Sequence, residues 1–181
     1  MRQRAVPTRL TMPRLVHQLA VNWLCRRNAG TVRMKNLFDP GAVQEVMTRI
    51  EQLKPSAQRQ WGKMDVAQMM AHCSAALEMA SGKFVAKRTL LGRIIGPRVR
   101  HVLTDDSPFP RNSPTAKELK VGSSDFTHEH ARLKQCVRQF HEGGESQCTG
   151  QPHPFFGKIT ALEWSTGMYK HLDHHLKQFG V

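Results

Sequence analysis

Over most of its length the chain repeats apolar residues every three or four positions, in segments that open at a capping residue and close at a helix breaker. Asp39, Asp65, Asp125 and Thr160 stand at the start of four such segments. Glu163 follows Thr160 at the spacing of a capping box. No segment alternates apolar and polar residues strictly enough to indicate a strand. The sequence therefore predicts an all-α fold, a four-helix bundle around one core.

A long connection separates the second and third principal helices. Its first part, residues 83–104, carries the apolar pairs Leu90-Leu91 and Ile94-Ile95 before a Gly96-Pro97 break. This pattern predicts one or two additional short helices there. The remainder is polar and rich in proline, which is typical of a loop.

The first 33 residues differ in composition from the rest. They contain seven arginines and no acidic residue, in a chain whose net charge is +13. We interpret residues 1–33 as a basic N-terminal extension that is either disordered or upstream of a start at Met34. A targeting segment is the alternative, although the apolar region of a secretory signal is missing. Residues 34–181 are then the bundle domain.

The composition excludes several classes of protein. No apolar run approaches the roughly 18 residues that a membrane-spanning helix needs. The four cysteines are scattered and form no CxxC pair, so neither a disulfide framework nor a thiolate zinc site is indicated. We therefore expect a cytoplasmic protein without a membrane partner.

The last predicted helix, in the stretch MYKHLDHHLKQFG, contains three histidines. At about 100° per residue, His171 and His175 border the apolar stripe of this helix, whereas His174 falls roughly 60° outside it, nearer to solvent. Histidines at positions i and i+4 converge on one face and can grip a metal ion at two points.

A third histidine, His72 in WGKMDVAQMMAHC, borders the apolar stripe of the second helix. Three imidazoles from two helices would leave an open coordination position, as in catalytic metal sites. The competing interpretation is that each is an ordinary, partly buried histidine. His130 on the third helix is a rival ligand, and His153 either anchors a loop or caps a pocket. Histidine ligands suit Zn, Ni, Fe or Cu alike.

Three stretches together carry a family resemblance: WGKMDVAQMMAHC, PHPFFGKIT and EWSTGMYKHLDHHLKQFG. Residues 34–181 resemble the DinB-like (YfiT-like) superfamily of metal-binding four-helix bundles, and most closely a bacterial subgroup of unknown function. The resemblance implies that His72, His171 and His175 hold a divalent metal ion. It also implies an enzyme acting on a small molecule with a low-molecular-weight thiol as cosubstrate, because characterised members include transferases and isomerases of that kind.

The sequence does not provide an evident carboxylate base for such a site. Glu78, Glu163 and Asp173 point away from the histidine faces on the helical wheel. This disfavours hydrolysis assisted by a glutamate and favours activation of an added thiol. Cys148 is either a thiol near the site or an incidental loop cysteine, and no catalytic residue beyond the metal ligands is assigned.

A basic stretch from Lys83 to Arg100 supports a rival function. It contains six lysines and arginines without an acidic residue. It is interpreted as a solvated surface, as a rim that attracts an anionic substrate, or as a nucleic-acid contact. The alternative to an enzyme is therefore a non-enzymatic bundle that binds an acidic partner such as nucleic acid. The sequence leaves a homodimer open.

Overall fold

The computed structural model describes residues 34–105, 107–113 and 115–181. The predictions for residues 1–33 lie outside this part of the chain. Five α-helices occur within it: α1 (Pro40–Glu51), α2 (Val66–Ala80), α3 (Leu90–Ile94), α4 (Phe126–Gly143) and α5 (Ala161–Gln178). Short 3₁₀ helices occupy Arg100–Leu103, Lys117–Leu119 and Glu145–Gln147. The described residues form no strand, so the all-α prediction is confirmed.

The four long helices begin where the capping residues predict. Asp39, Asp65, Asp125 and Thr160 each accept a hydrogen bond from a backbone N–H in the first turn of their helix. Thr160 and Glu163 form the predicted capping box. These caps satisfy amides that would otherwise lack a partner at each helix start.

The long helices close into a ring, in which α1 and α2 each pack against both α4 and α5. Each helix turns its apolar stripe toward the centre, where burying one large aliphatic side chain contributes about 1.5–3 kcal/mol. The residues at the centre of the core are Val46, Ile50, Met69, Met70, Leu77, Leu133, Val137, Trp164, Leu172 and Leu176.

Helix α5 is also covered on its outer side by the long connection. A Cβ atom on Gly167 would lie 2.9 Å from Leu103 Cδ2, so the connection approaches the helix backbone closely. Next to it, the buried Lys170 ammonium donates hydrogen bonds to the carbonyl of Val102 and to the carbonyl and carboxylate of Asp105. Lys170 therefore ties the connection to α5 one residue before His171.

The predicted short helices of the connection are present as α3 and the 3₁₀ turn Arg100–Leu103. The apolar residues of α3, however, are not part of the core. No helix in the described residues combines the length and the apolar character needed to cross a membrane.

Candidate metal centre

Three histidine rings meet between α2 and α5. His72 lies in α2, and His171 and His175 lie one turn apart in α5. One ring nitrogen of each lies within 4.8 Å of the corresponding atoms of the other two. The Nε2 atoms of His72 and His171 are 2.9 Å apart. The structure thus brings together the three histidines that the sequence singles out.

A backbone carbonyl orients the His72 ring. Its Nδ1 is 2.9 Å from the carbonyl oxygen of Leu119, in the 3₁₀ helix Lys117–Leu119. Because a carbonyl only accepts, Nδ1 carries the proton and donates it to Leu119. The lone pair of the neutral ring is then on Nε2, which faces His171. The long connection, through Leu119, therefore selects the tautomer that can bind a metal ion.

The side chain of Gln178 orients His175 in the same way. The Gln178 amide donates from Nε2 to the carbonyl of Trp61 at 2.7 Å, and this contact fixes the orientation of the amide. Its Oε1 then accepts a hydrogen bond from Nδ1 of His175 at 2.9 Å. Nε2 of His175 is left with its lone pair.

A glycine in the WGKM motif permits this arrangement. Gly62 has a φ of +78°, and a Cβ atom there would lie 2.6 Å from Nε2 of Gln178. Any larger residue would be strained by the backbone conformation and would also displace the Gln178 amide. The motif is therefore linked to the geometry of His175 through Gln178.

Burial keeps the three rings neutral. It lowers the pKa of His72, and it lowers the pKa of His175 to about 3. The pKa of His171 is held well below its ordinary value by burial first and by the neighbouring His175 and His72 rings second. Neutral imidazole is the form that coordinates metal ions, so no proton must be removed from an imidazolium at neutral pH.

The donor set fits a divalent cation. Metal–nitrogen bonds of about 2.0–2.1 Å place two tetrahedral ligands roughly 3.4 Å apart. The Nε2 atoms of His72 and His171 are 2.9 Å apart, and no two of the three ligand nitrogens are more than 4.8 Å apart. The expected separation lies between these two distances. The hydrogen bonds from Nδ1 to an oxygen acceptor are typical of metal-ligating histidines. The cluster could therefore hold one ion through three protein nitrogens, with a coordination position left open.

Other histidines lie outside this cluster. The rival ligand His130 donates from Nε2 to the carbonyl of Ile50 at 3.1 Å and stacks on Phe126. His174 is half-buried rather than solvent-facing, because its ring packs against Trp61 and Phe109.

His153 anchors its loop, as one of the two sequence interpretations holds. Its Nδ1 accepts hydrogen bonds from the backbone amides of Phe155 and Phe156 at 3.1 and 3.2 Å. The ring also packs on Trp164, and burial lowers its pKa to about 4. The ring thus serves as a fixed acceptor at the turn before α5.

The three acidic residues considered from the sequence are engaged elsewhere. Glu78 pairs with Arg132 at 2.7 Å, Asp173 pairs with Arg49 at 2.8 Å, and Glu163 pairs with Arg100 at 2.8 Å. Within the described part of the chain, no carboxylate belongs to the group that the three histidines form.

Cys148 has the character of a structural cysteine. It is half-buried, its Sγ lies 3.6 Å from the carbonyl of Ala80, and burial raises its pKa to about 11. A thiol with such a pKa is protonated at neutral pH and is a poor nucleophile.

Two positioning residues were missed by the sequence reasoning. Gln178 lies three positions after His175, so the same helical spacing that selects the ligands also carries a signal for it. Leu119 contributes only its backbone carbonyl. Its side-chain identity therefore carried no signal.

Comparisons with known proteins locate the chain within a family. Neither the curated proteins nor the solved structures contain a match to it. One family model covers residues 32–180, which is more than half of the chain. The protein therefore belongs to the family described as "Protein of unknown function (DUF1569)".

Proposed function

We propose that the protein is a metal-dependent enzyme of the DinB-like type, in which His72, His171 and His175 bind one divalent ion. The observation that carries the proposal is the convergence of three ring nitrogens, from the buried His72 and His175 and the half-buried His171. Two of the rings have their tautomer set by an oxygen acceptor at Nδ1. A histidine buried only for packing has no need of two neighbours arranged in this way.

The bound ion would supply Lewis acidity at one open position, where it polarises a carbonyl or lowers the pKa of a coordinated thiol or water. The chain's own residues supply the rest. Leu119 and Gln178 hold the rings, and the burial of His72 and His175 keeps water away from these two rings. Exclusion of water strengthens electrostatic interactions at such a site.

A low-molecular-weight thiol fits this site better than water as the nucleophile. Glu78, Asp173 and Glu163 are each paired with an arginine, so none of them is free to act as a base. A thiol ionises near a pKa of about 8.5 and needs little further help to become a nucleophile. The proposed reaction is therefore addition of a thiol to an unsaturated, electron-poor small molecule. The S–H proton leaves to solvent, the thiolate sulfur forms a C–S bond as the π bond of the substrate breaks, and the resulting carbanion takes a proton from solvent.

Aromatic side chains provide a wall for that small molecule. The His174 ring lies 5.1 Å from the His175 ring and packs against Trp61 and Phe109. The guanidinium of Arg111 sits 4.2 Å above the Trp61 ring. Flat apolar faces next to a cation are suited to a small substrate with an unsaturated, electron-poor group.

A cytoplasmic location is part of this proposal. The three cysteines in the described part of the chain are free thiols, as expected in a reducing compartment.

A screen of thiols against electrophiles tests the function. Protein loaded separately with Zn, Ni or Fe should consume one thiol–electrophile pair faster than the uncatalysed reaction. Chelation or His72→Ala should abolish that rate. The His130→Ala variant is the control, because its ring lies outside the cluster. Rates that are equal for wild type, chelated protein and His72→Ala would contradict the proposal.

The non-enzymatic alternative has less support from the basic stretch. Arg100 is engaged with Glu163 at 2.8 Å, and Arg88 is half-buried with its guanidinium directed to the carbonyl of Gly92. The stretch is thus divided between structural and exposed cations. Salt-sensitive binding of nucleic acid that does not depend on metal would favour this alternative.

A further inference from the structure

Helix α3 exposes its apolar side chains to solvent. Leu90 is 78% exposed, Leu91 58%, Ile94 67% and Ile95 40%. Ile95 is the residue that directly follows the helix. At about 100° per residue the four residues share one side, and we call them the α3 apolar face. Single exposed leucines are common on proteins, but four adjacent ones mark an interaction surface.

The opposite side of α3 is packed too tightly for the helix to turn this face inward. A Cβ atom on Gly92 would lie 2.7 Å from the backbone of Phe155. On Gly96 it would lie 1.9 Å from the Phe155 carbonyl oxygen. The start of the helix is tied to the same loop by a 3.1 Å hydrogen bond from Thr89 N to the Pro154 carbonyl. The two glycines therefore hold the α3 apolar face outward.

The surroundings of the face are basic. Lys87, Arg93 and Arg98 are exposed next to it, and residues 83–104 contain no acidic residue. Two acidic groups reach this region from elsewhere. Glu163 pairs with Arg100, and Glu118 accepts from the backbone amide of Lys87 at 3.4 Å. The net charge of the side chains that flank the α3 apolar face is therefore positive.

We propose that the α3 apolar face docks on the surface of a bilayer that contains anionic lipids. Leu90, Leu91 and Ile94 enter the boundary between headgroups and acyl chains, and the flanking cations contact lipid phosphates. Apolar side chains combined with lysines and arginines are the physical requirements for binding at such an interface. The proposal concerns contact with a membrane surface, and it replaces the sequence expectation of no membrane partner, which considered only spanning segments.

The basic charge around the α3 apolar face favours an anionic bilayer over two other partners, a second copy of the chain and nucleic acid. A second copy docked face to face would bring the cations of both copies together, which is unfavourable. Nucleic acid would neutralise the cations but would leave four apolar side chains in water, because its contacts are made mainly to phosphates. An anionic bilayer satisfies both features at once.

Vesicle co-sedimentation of the full chain tests the proposal. Wild-type protein should bind vesicles of phosphatidylcholine with phosphatidylglycerol, and bind phosphatidylcholine vesicles much less. The double variant Leu91→Ser/Ile94→Ser should lower the partition coefficient by roughly 100-fold, because each buried aliphatic side chain accounts for about tenfold. The matched control is Ala131→Ser/Gln135→Ser, which alters two exposed residues of α4 without changing charge.

The same variants separate the competing outcomes. Circular dichroism spectra equal to those of the wild type show that the double variant is folded. If a folded double variant binds vesicles as tightly as the wild type, the binding is purely electrostatic and the proposal is wrong. If the wild type is instead a dimer that the double variant dissociates, with no vesicle binding, the face is an interface between copies and the proposal is overturned.

Discussion

Nδ1 of His175 donates a 2.9 Å hydrogen bond to the amide oxygen of Gln178, and the same amide donates to the carbonyl of Trp61. One side chain thus connects the loop before α2 with a proposed ligand on α5. The contact fixes both the orientation and the tautomer of the ring.

Replacing Gln178 should weaken metal binding without removing a ligand. We expect Gln178→Ala to reduce the affinity for Zn²⁺ by about 10- to 100-fold, the usual effect of losing such a positioning residue. Competition titration with a chromophoric chelator measures it. Gln135→Ala, at an exposed position of α4, is the control and should leave the affinity unchanged. Equal affinities for both variants would show that Gln178 does not position the ligand.

Gly62→Ala should displace the Gln178 amide and so disturb its hydrogen bonds to His175 and Trp61. The positive φ at this position costs an L-residue about 1–2 kcal/mol, and the new Cβ would lie 2.6 Å from the Gln178 amide nitrogen. Thermal unfolding should show a lower Tm. Gly122→Ala provides the matched control, because a Cβ there meets nothing within 4 Å. A Tm for Gly62→Ala as high as that of Gly122→Ala would contradict the assigned strain.

Lys170→Met should loosen the long connection. The buried ammonium donates to Val102 and Asp105, and its loss leaves these acceptors without their partner. We expect the free energy of unfolding to fall by about 2–4 kcal/mol, measured by urea denaturation. Lys177→Met removes an exposed pair with Asp173 and should cost less than about 1 kcal/mol. Similar losses in the two variants would contradict the role of Lys170.

Stability should fall in mild acid partly because of His153. Burial lowers its folded pKa from 6.5 to about 4, so the unfolded chain binds a proton in this range that the folded protein does not. The free energy of unfolding therefore decreases as the pH drops below 6.5, by about 1.4 kcal/mol per pH unit for this one proton. The contribution levels off below about pH 4.

The His153→Asn variant tests the contribution of His153 to the pH dependence of stability. Its side-chain oxygen can accept from the same backbone amides, but it does not titrate. Urea denaturation in the presence of a chelator, from neutral pH to mild acid, should give a shallower pH dependence than wild type, by up to one proton. Parallel curves would mean that His153 is as protonated in the folded as in the unfolded state.

The helices were predictable because their signals are local. Asp65 and Thr160 each cap the segment that follows them, and the wheel of α5 places His171 and His175 on the inner edge without knowledge of any contact. The same wheel left His174 nearer to solvent. It could not include Trp61 and Phe109, which cover that ring from distant parts of the chain.

Features that depend on the path of the connection were not predictable in this way. The tie between Lys170 and Asp105 spans 65 residues. The apolar pairs of α3 give an amphipathic pattern that would ordinarily indicate a buried face. In the structure Gly92 of α3 and Gly96 just after it pack inward instead, because only a glycine fits against the Phe155 backbone. Local periodicity reports which residues share a face, and tertiary contacts decide which face is covered.

The metal content of the purified protein tests the central claim most directly. After loading and removal of free ion, elemental analysis should give about one equivalent of divalent metal for wild type and for His174→Ala, whose ring lies outside the cluster. Both His72→Ala and His171→Ala should contain almost none. Retention of a full equivalent by either of these two variants, or its absence from the loaded wild type, would contradict a three-histidine metal centre.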